Sequence, residues 1–99
     1  MARQALTDDE IAAALTELPG WQIQTGQLQR QYTFASFAQA IGWMVSAAIV
    51  CDKMDHHPEW SNVYNKVTVS LVTHSLGNKI SNLDVQLAHK MEKLFLATN

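Results

Sequence analysis

Hydrophobic residues in this sequence alternate between helical and strand-like spacing, and that alternation determines the class of fold. Ile11, Leu15 and Leu18 recur at helical steps and follow a capping box, Thr7–Glu10. Pro19-Gly20 ends this first pattern, because neither residue continues a helix well. We therefore predict a short first helix.

A hairpin is predicted next. Segments 21–24 and 27–33 flank Thr25-Gly26, and the second segment alternates Leu28 and Tyr32 with glutamines. The two segments should pair as neighbouring antiparallel strands.

The middle of the chain predicts a long helix, from about Ser36 to Lys53, opened by a second capping box at Ser36–Gln39. Trp43 and Met44 are interpreted as core or subunit-interface residues. Seven apolar residues form a broad face that we expect to cover a sheet: Phe37, Ala40, Ile41, Met44, Val45, Ala48 and Ile49.

Two more strands and a last helix complete the pattern. Glu59–Tyr64 leads into residues 66–71, where Val67, Val69 and Leu71 alternate with polar residues, and Asn65-Lys66 predicts the turn between the two strands. Ser81–Asp84 can cap a helix whose buried stripe would hold Leu87, Met91 and Leu94.

The resulting order, αββαββα, predicts an α+β fold with a four-stranded antiparallel sheet and three helices packed on one face. A chain of 99 residues suffices for one domain, so we expect residues 1–99 to form a single one. Small domains gain stability by association, and we expect a homo-oligomer.

Composition excludes several classes of function. A net charge of -2 provides no basic surface for nucleic acid. The longest apolar run, Ala47–Cys51, is far shorter than the roughly 20 residues that cross a bilayer, and the start shows no hydrophobic signal segment. We expect a soluble, cytoplasmic protein without direct contact to nucleic acid or membrane.

Three histidines carry the chemistry predicted from the sequence. His56 and His57 are adjacent, and Pro58 holds them in a rigid, non-helical segment. His74 follows the last predicted strand and should project from its polar face or from its exit. Because imidazole titrates near neutral pH, these residues predict a proton-transfer site.

The same residues also fit other kinds of site. Three histidines with nearby aspartates could bind zinc, but the spacing lacks the helical i, i+4 pair, and we expect no metal. Cys51 lies within an apolar helical pattern and is predicted to be a core residue rather than a catalytic thiol. His89 lies near Lys90 on the last helix and is assigned no role.

The spaced pattern resembles the pterin-4a-carbinolamine dehydratase family. The resemblance covers essentially the whole chain and is carried most strongly by Asp52, Asp55-His56-His57-Pro58-Glu59-Trp60, Asn62-Val63-Tyr64-Asn65-Lys66-Val67, Thr73-His74 and Asp84.

This resemblance implies dehydration of a 4a-hydroxytetrahydropterin to the quinonoid dihydropterin, a recycling step after aromatic amino-acid hydroxylation. Loss of water requires a proton delivered to the departing oxygen and a proton removed from N5. Neither step calls for a metal or a redox cofactor. Imidazole, with a reference pKa of about 6.5, suits both transfers.

The resemblance also implies roles for particular residues. His56 and His74 are expected to transfer protons, and His57 to place the pterin. Asp52 and Asp84 could orient imidazoles or accept from the pterin, and Pro58 stiffens the segment. The remaining implied pterin contacts are Asp55, Trp60, Val72 and Thr73.

Two positions depart from the family pattern. Asp52 stands where relatives frequently carry glutamate, which shortens the reach of the carboxylate by one methylene. Leu83 stands where relatives often carry arginine, which removes a possible anion contact.

Relatives form dimers and tetramers, so a homodimer or homotetramer is implied, with an aromatic amino-acid hydroxylase as a pathway partner. A second class of function stays open: some members of the family act without catalysis as dimerisation cofactors or transcriptional coactivators.

Overall fold

The structure, a computed structural model, describes residues 2–98. Its element order confirms the predicted αββαββα arrangement and fold class, with a short 3-10 helix, His74–Leu76, before the last helix. The elements are α1 (Asp8–Leu15), β1 (Gln22–Gln24), β2 (Gln27–Thr33), α2 (Phe37–Met54), β3 (Glu59–Val63), β4 (Lys66–Leu71) and α3 (Asn82–Thr98). Within residues 2–98, none of these helices combines the length and apolar character required to cross a membrane.

The sheet is antiparallel throughout, with strand order β1-β2-β4-β3. Pairing of Leu28 with Leu71 and of Tyr32 with Val67 aligns the apolar residues of the two central strands. Because successive side chains alternate between faces, this register places the large apolar residues on the helix-covered face. Central β4 therefore contributes a row of buried residues to the core. Its C-terminal end leads into the segment that contains His74.

Helix ends follow the predicted caps closely. Thr7 and Glu10 form the reciprocal capping box. The Ser36 hydroxyl accepts from the Gln39 amide as predicted, whereas the Gln39 side chain accepts from the Ala35 amide instead of that of Ser36. One of the two hydrogen bonds of the second capping box is therefore shifted by one residue along the chain.

The first helix is shorter than the spacing of its apolar residues predicted. It ends at Leu15, because Thr16 caps it and the chain continues in turns. Leu18 lies beyond the helix but is still a core residue, only 1% exposed. Apolar spacing identified the buried residue correctly and the end of the helix incorrectly.

Helix α2 buries only part of the face that was predicted to cover the sheet: Ala40 is buried and Met44 packs against the core. Its buried residues are Ala40, Trp43, Ala47 and Cys51. Five members of the predicted sheet-covering face are instead exposed: Phe37, Ile41, Val45, Ala48 and Ile49. The reason is steric, because two alanines allow close approach to the sheet while Trp43 fills the space between them.

The turn between β3 and β4 lies one residue earlier than predicted. Tyr64 and Asn65 form it, and Lys66 already belongs to β4. Tyr64 adopts a left-handed backbone (φ 54°), and the Asn62 side-chain amide donates to the carbonyls of Tyr64 and Lys66. This side-chain bridge fixes the early turn.

An aromatic cluster joins α2 and α3 to the sheet. The Tyr32 ring lies 4.6 Å from that of Trp43 and 4.7 Å from that of Phe95, measured between centroids. Glu92 accepts hydrogen bonds from the Trp21 indole (2.9 Å) and the Tyr32 hydroxyl (2.7 Å), and it also pairs with Arg30. One carboxylate thus connects α3 to the start of the hairpin and to β2.

Candidate active site

The path of the chain after α2 turns His56 toward the interior. Asp55 caps the helix in the left-handed conformation (φ 51°, ψ 45°), and the His56 amide returns to the Cys51 carbonyl. A left-handed residue reverses the chain direction within one step. His56 consequently lies beneath the start of α3 and is only 6% exposed.

His56 contacts a carboxylate that is completely buried. Its Nε2 lies 2.5 Å from Asp84 Oδ1, and Asp84 is 0% exposed. The other carboxylate oxygen, Oδ2, accepts from the Thr73 hydroxyl (2.9 Å) and from the Ser81 amide (2.8 Å). Burial of a carboxylate is costly unless donors compensate it, and three donors do so here.

The hydroxyl groups of Thr73 and Ser81 determine which atoms donate and which accept in this network. Thr73 has one hydroxyl proton, which it donates to Asp84, so at 2.6 Å the Ser81 hydroxyl must donate to Thr73. Ser81 Oγ in turn accepts from the Leu83 amide, and this bond caps α3. The cap of α3 therefore also fixes the orientation of Asp84.

The network selects one tautomer of His56. An ionised carboxylate only accepts, so Nε2 holds the proton that faces Asp84. In the neutral ring, Nδ1 then becomes the acceptor. Within residues 2–98 this nitrogen makes no hydrogen bond.

The other two histidines are exposed and are also paired with carboxylates. His57 Nε2 lies 3.1 Å from Asp52 Oδ1, and His74 Nε2 lies 3.1 Å from Glu59 Oε1. His74 belongs to the 3-10 helix that follows β4, which agrees with its predicted place at the strand exit. Each imidazole thus has a carboxylate that orients its ring.

All three histidines line one cavity of about 250 Å³, which we call the histidine cavity. It lies between the segment after α2 and the segment after β4, so two remote stretches of sequence meet there. The other lining residues are Arg3, Asp55, Pro58, Val72, Thr73 and Ser75. The structure therefore brings together seven of the ten predicted site residues.

The remaining three predicted residues lie outside the lining. Asp52 is exposed and faces His57, and Asp84 lies behind His56. Trp60 differs from its expected place as a wall for the substrate. It pairs with Val69 in the sheet and faces the Trp43 ring at 6.3 Å, because its position in β3 directs it to the core.

Three residues near the cavity were not predicted from the sequence. Glu59 could have been found from the alternation of β3, which places it on the polar face of the sheet. Ser75 directly follows His74. Arg3 is far from the motif in sequence and reaches the cavity because its guanidinium donates to the Asp55 carbonyl (3.3 Å).

Cys51 lies in the core beside this site. Burial raises the pKa of its thiol to about 11, and the nearby Asp52 carboxylate acts in the same direction. A thiol protonated at neutral pH is a poor nucleophile. This agrees with the predicted core role.

Among residues 2–98, no three side chains of His, Cys, Asp or Glu lie where they could hold one ion together.

The fold and the cavity are those of a small α+β protein that places imidazoles in an open site, and sequence comparison identifies the family. The model of the family described as "Pterin 4 alpha carbinolamine dehydratase" matches residues 4–94. The chain belongs to this family, as the sequence pattern predicted.

Individual relatives agree with this assignment. A protein of Prochlorococcus marinus (strain MIT 9312) is 44% identical over 90 residues, covering 91% of this chain and 93% of the relative. A protein of Brucella ovis is 45% identical over 96 residues, covering 95% and 98%. Both carry the name "Putative pterin-4-alpha-carbinolamine dehydratase".

Solved structures share the fold. A crystal structure described as a transcriptional coactivator/pterin dehydratase from Brucella Melitensis matches with a TM-score of 0.87 and 43% identity, covering 92% of this chain and 98% of that one. A pterin dehydratase-like RuBisCO assembly factor of the alpha-carboxysome matches with a TM-score of 0.62 and 20% identity, covering 76% and 86%. The second match shows the fold alone.

Proposed function

We propose that this protein dehydrates a 4a-hydroxytetrahydropterin to the quinonoid dihydropterin and water. The observation that carries the proposal is that His56 and His57 line one cavity with His74, which comes from a remote segment of the chain. Membership in the dehydratase family supports the same reaction. The proposed place of the reaction is the recycling of a tetrahydropterin after aromatic hydroxylation.

Loss of water from carbon 4a requires two proton transfers at different atoms. One proton must reach the departing hydroxyl oxygen, and the N5 proton must leave as the C4a=N5 double bond forms. Imidazoles with different surroundings suit these two tasks, and each positioned acid or base typically contributes ~10² to 10⁴ in rate. No metal or redox chemistry is needed for this balance.

His56 and His74 are the proposed proton-transfer residues. His56 presents Nδ1 as an acceptor because Asp84 engages Nε2. His74 is exposed and held by Glu59, so it can exchange protons with solvent. His57, held by Asp52, is proposed to place the pterin together with Asp55, Pro58, Val72 and Thr73, which line the same cavity.

The activity can be tested directly. The protein is mixed with freshly generated 4a-hydroxytetrahydropterin, and the absorbance of the quinonoid product is followed. His56→Ala and His74→Ala should each reduce kcat by ~10²-fold or more. His89→Ala is the matched control, since His89 is exposed on α3 and does not line the cavity. Equal effects at the three positions, or no acceleration over buffer, would reject the proposal.

A second function concerns protein contacts and is favoured by the outer face of α2. Phe37, Ile41, Val45 and Ile49 are exposed at four-residue steps, and residues 37–51 contain no charged side chain. Contiguous apolar surface of this kind is typical of protein interfaces. An uncharged face is compatible with itself, so we propose that it binds a second copy and forms a homodimer or homotetramer.

A non-enzymatic role as a dimerisation cofactor or coactivator would use the same face. The Brucella Melitensis structure is described as a transcriptional coactivator as well as a pterin dehydratase. Stable recovery of a heterologous partner, together with no binding of pterin, would favour this role over catalysis. Three imidazoles that line one cavity favour catalysis.

A further inference from the structure

A second recess adjoins the histidine cavity. Its volume is about 360 Å³, and it shares Arg3 and Asp55 with the histidine cavity. We call it the side recess. Its remaining lining residues are Lys53, Met54, Leu83 and Gln86.

The side recess has an excess of positive charge. Arg3 and Lys53 each provide a positive charge, whereas Asp55 provides the single carboxylate. Within residues 2–98, neither cation forms a salt bridge, and the one hydrogen bond of Arg3 goes to the Asp55 carbonyl rather than to its carboxylate. The two charges are therefore available to a ligand.

Arg3 is held in place by its neighbours in the chain. The Asn82 side chain donates to the Ala2 carbonyl (3.0 Å) and accepts from the Gln4 amide (2.8 Å). The Asn82 amide donates to the Gln4 carbonyl (3.2 Å). Because the residues on both sides are anchored, the backbone of Arg3 is positioned before any ligand arrives, which reduces the entropy lost on binding.

We propose that the side recess binds a phosphomonoester on the side chain of the pterin whose ring occupies the histidine cavity. This inference rests on the proposed function. Arginine binds phosphate in a bidentate manner, and a second cation suits a dianionic group. Leu83, which is nearly buried, and Met54 provide apolar contact for the carbons between ring and phosphate.

Equilibrium binding tests this without relying on turnover. The probes are 7,8-dihydroneopterin and its 3′-monophosphate, titrated separately by pterin fluorescence or calorimetry at low salt. Wild-type protein should bind the phosphate ester about tenfold more tightly than the neutral pterin, and added NaCl should reduce this preference. Lys53→Gln should reduce the preference while leaving the affinity for the neutral pterin unchanged, because Lys53 lines only the side recess. Arg3 lines both cavities, so Arg3→Gln should weaken binding of the phosphate ester more than binding of the neutral pterin.

Lys90→Gln is the matched control, because this exposed lysine lies on α3 and lines neither cavity. It should retain the full preference. Equal affinities of the wild type for the two probes would overturn the inference and leave the dehydratase proposal intact, provided the neutral pterin binds. Failure of both probes to bind would reject the inference and the pterin site together. Equal weakening of both probes by Arg3→Gln would assign Arg3 to the ring site and also overturn the inference.

Discussion

His56 Nε2 and Asp84 Oδ1 lie 2.5 Å apart, and Asp84 has no exposed surface. The two residues are 28 positions apart in sequence. Asp84 is held by Thr73 and by the cap of α3, so the imidazole is oriented by the same bonds that begin the last helix. Stability and the proposed chemistry therefore depend on one carboxylate.

Replacement of Asp84 should affect activity and stability together. In Asp84→Asn, the side-chain amide can donate to Nε2, which would move the ring proton to Nδ1 and remove the acceptor proposed for proton transfer. We expect kcat to fall by ~10²-fold or more. The altered donors and acceptors around Thr73 and Ser81 should lower the free energy of unfolding by about 1–3 kcal/mol, measured by urea denaturation.

Asp52→Asn provides the matched control for that experiment. Asp52 also contacts a histidine, but both side chains of this pair are largely exposed. Exposed pairs contribute about 0–1 kcal/mol, so unfolding should change little. Equal losses of stability in the two variants would contradict the importance of burial at Asp84.

Glu92 should be a determinant of stability with little effect on activity. It accepts from Trp21 and Tyr32 and pairs with Arg30, far from the histidine cavity. Glu92→Ala would leave three donors without this acceptor, and we expect a loss of about 2–4 kcal/mol in the free energy of unfolding. Urea denaturation measures the loss, with kcat unchanged under native conditions. Glu17→Ala, at an exposed glutamate, should lose under about 0.5 kcal/mol, and a similar loss in Glu92→Ala would refute the prediction.

The buried thiol of Cys51 should make the free energy of unfolding decrease at alkaline pH. Burial raises the pKa of the folded thiol to about 11, above its ordinary value of 9.0. Between these values the unfolded chain ionises its thiol while the folded protein keeps the proton, so stability is full below pH 9 and is lost as pH rises toward 11. Cys51→Ala lacks this contribution. The stability difference between wild type and variant should therefore shrink from pH 8.5 to pH 10.5, roughly, in urea denaturation; a constant difference would contradict it.

The exposed face of α2 predicts self-association. Sedimentation of the wild type should give a mass of at least two chains at micromolar concentration. Val45→Lys should shift this toward the monomer, because each copy in a two-fold interface would bring a charge into an apolar contact. Leu96→Lys is the control, since Leu96 is also exposed but lies on α3 outside this stripe. A monomeric wild type would reject the proposal.

Local sequence patterns predicted the elements of this fold well and their orientation less well. The caps at Thr7, Ser36 and Ser81 involve short-range bonds, so the sequence contains all the atoms that make them. Short-range bonds do not determine which face of α2 is buried. Apolar residues surround most of that helix, and only the tertiary fit of Trp43 against the sheet selects the buried side.

The candidate site shows the same limit. His56, His57 and His74 could be singled out because adjacent imidazoles and a nearby proline are distinctive in sequence. Arg3 could not, because its place depends on bonds from Asn82 that join residues about eighty positions apart. An aromatic residue beside a motif can line a site or pack in the core, and the position of Trp60 in β3 directs its side chain toward Trp43.

Asp55 allows the backbone and the carboxylate to be tested separately. Its φ of 51° lies in the left-handed region, where glycine is unstrained and a side chain with Cβ is not. Asp55→Gly should therefore keep or raise stability by up to about 1 kcal/mol, whereas Asp55→Ala should lose a similar amount. Because Asp55 lines the histidine cavity, both variants should bind 7,8-dihydroneopterin more weakly if the carboxylate contacts the pterin.

Asn78→Gly separates these effects further. Asn78 has a similar left-handed φ of 62° but does not line the histidine cavity. It should show the same gain in stability with unchanged pterin affinity, measured by urea denaturation and fluorescence titration. If Asp55→Gly matched Asn78→Gly in both measurements, the Asp55 carboxylate would have no part in binding. Weaker binding in Asp55→Gly alone would assign that loss to the carboxylate, because the backbone strain has been removed at both positions.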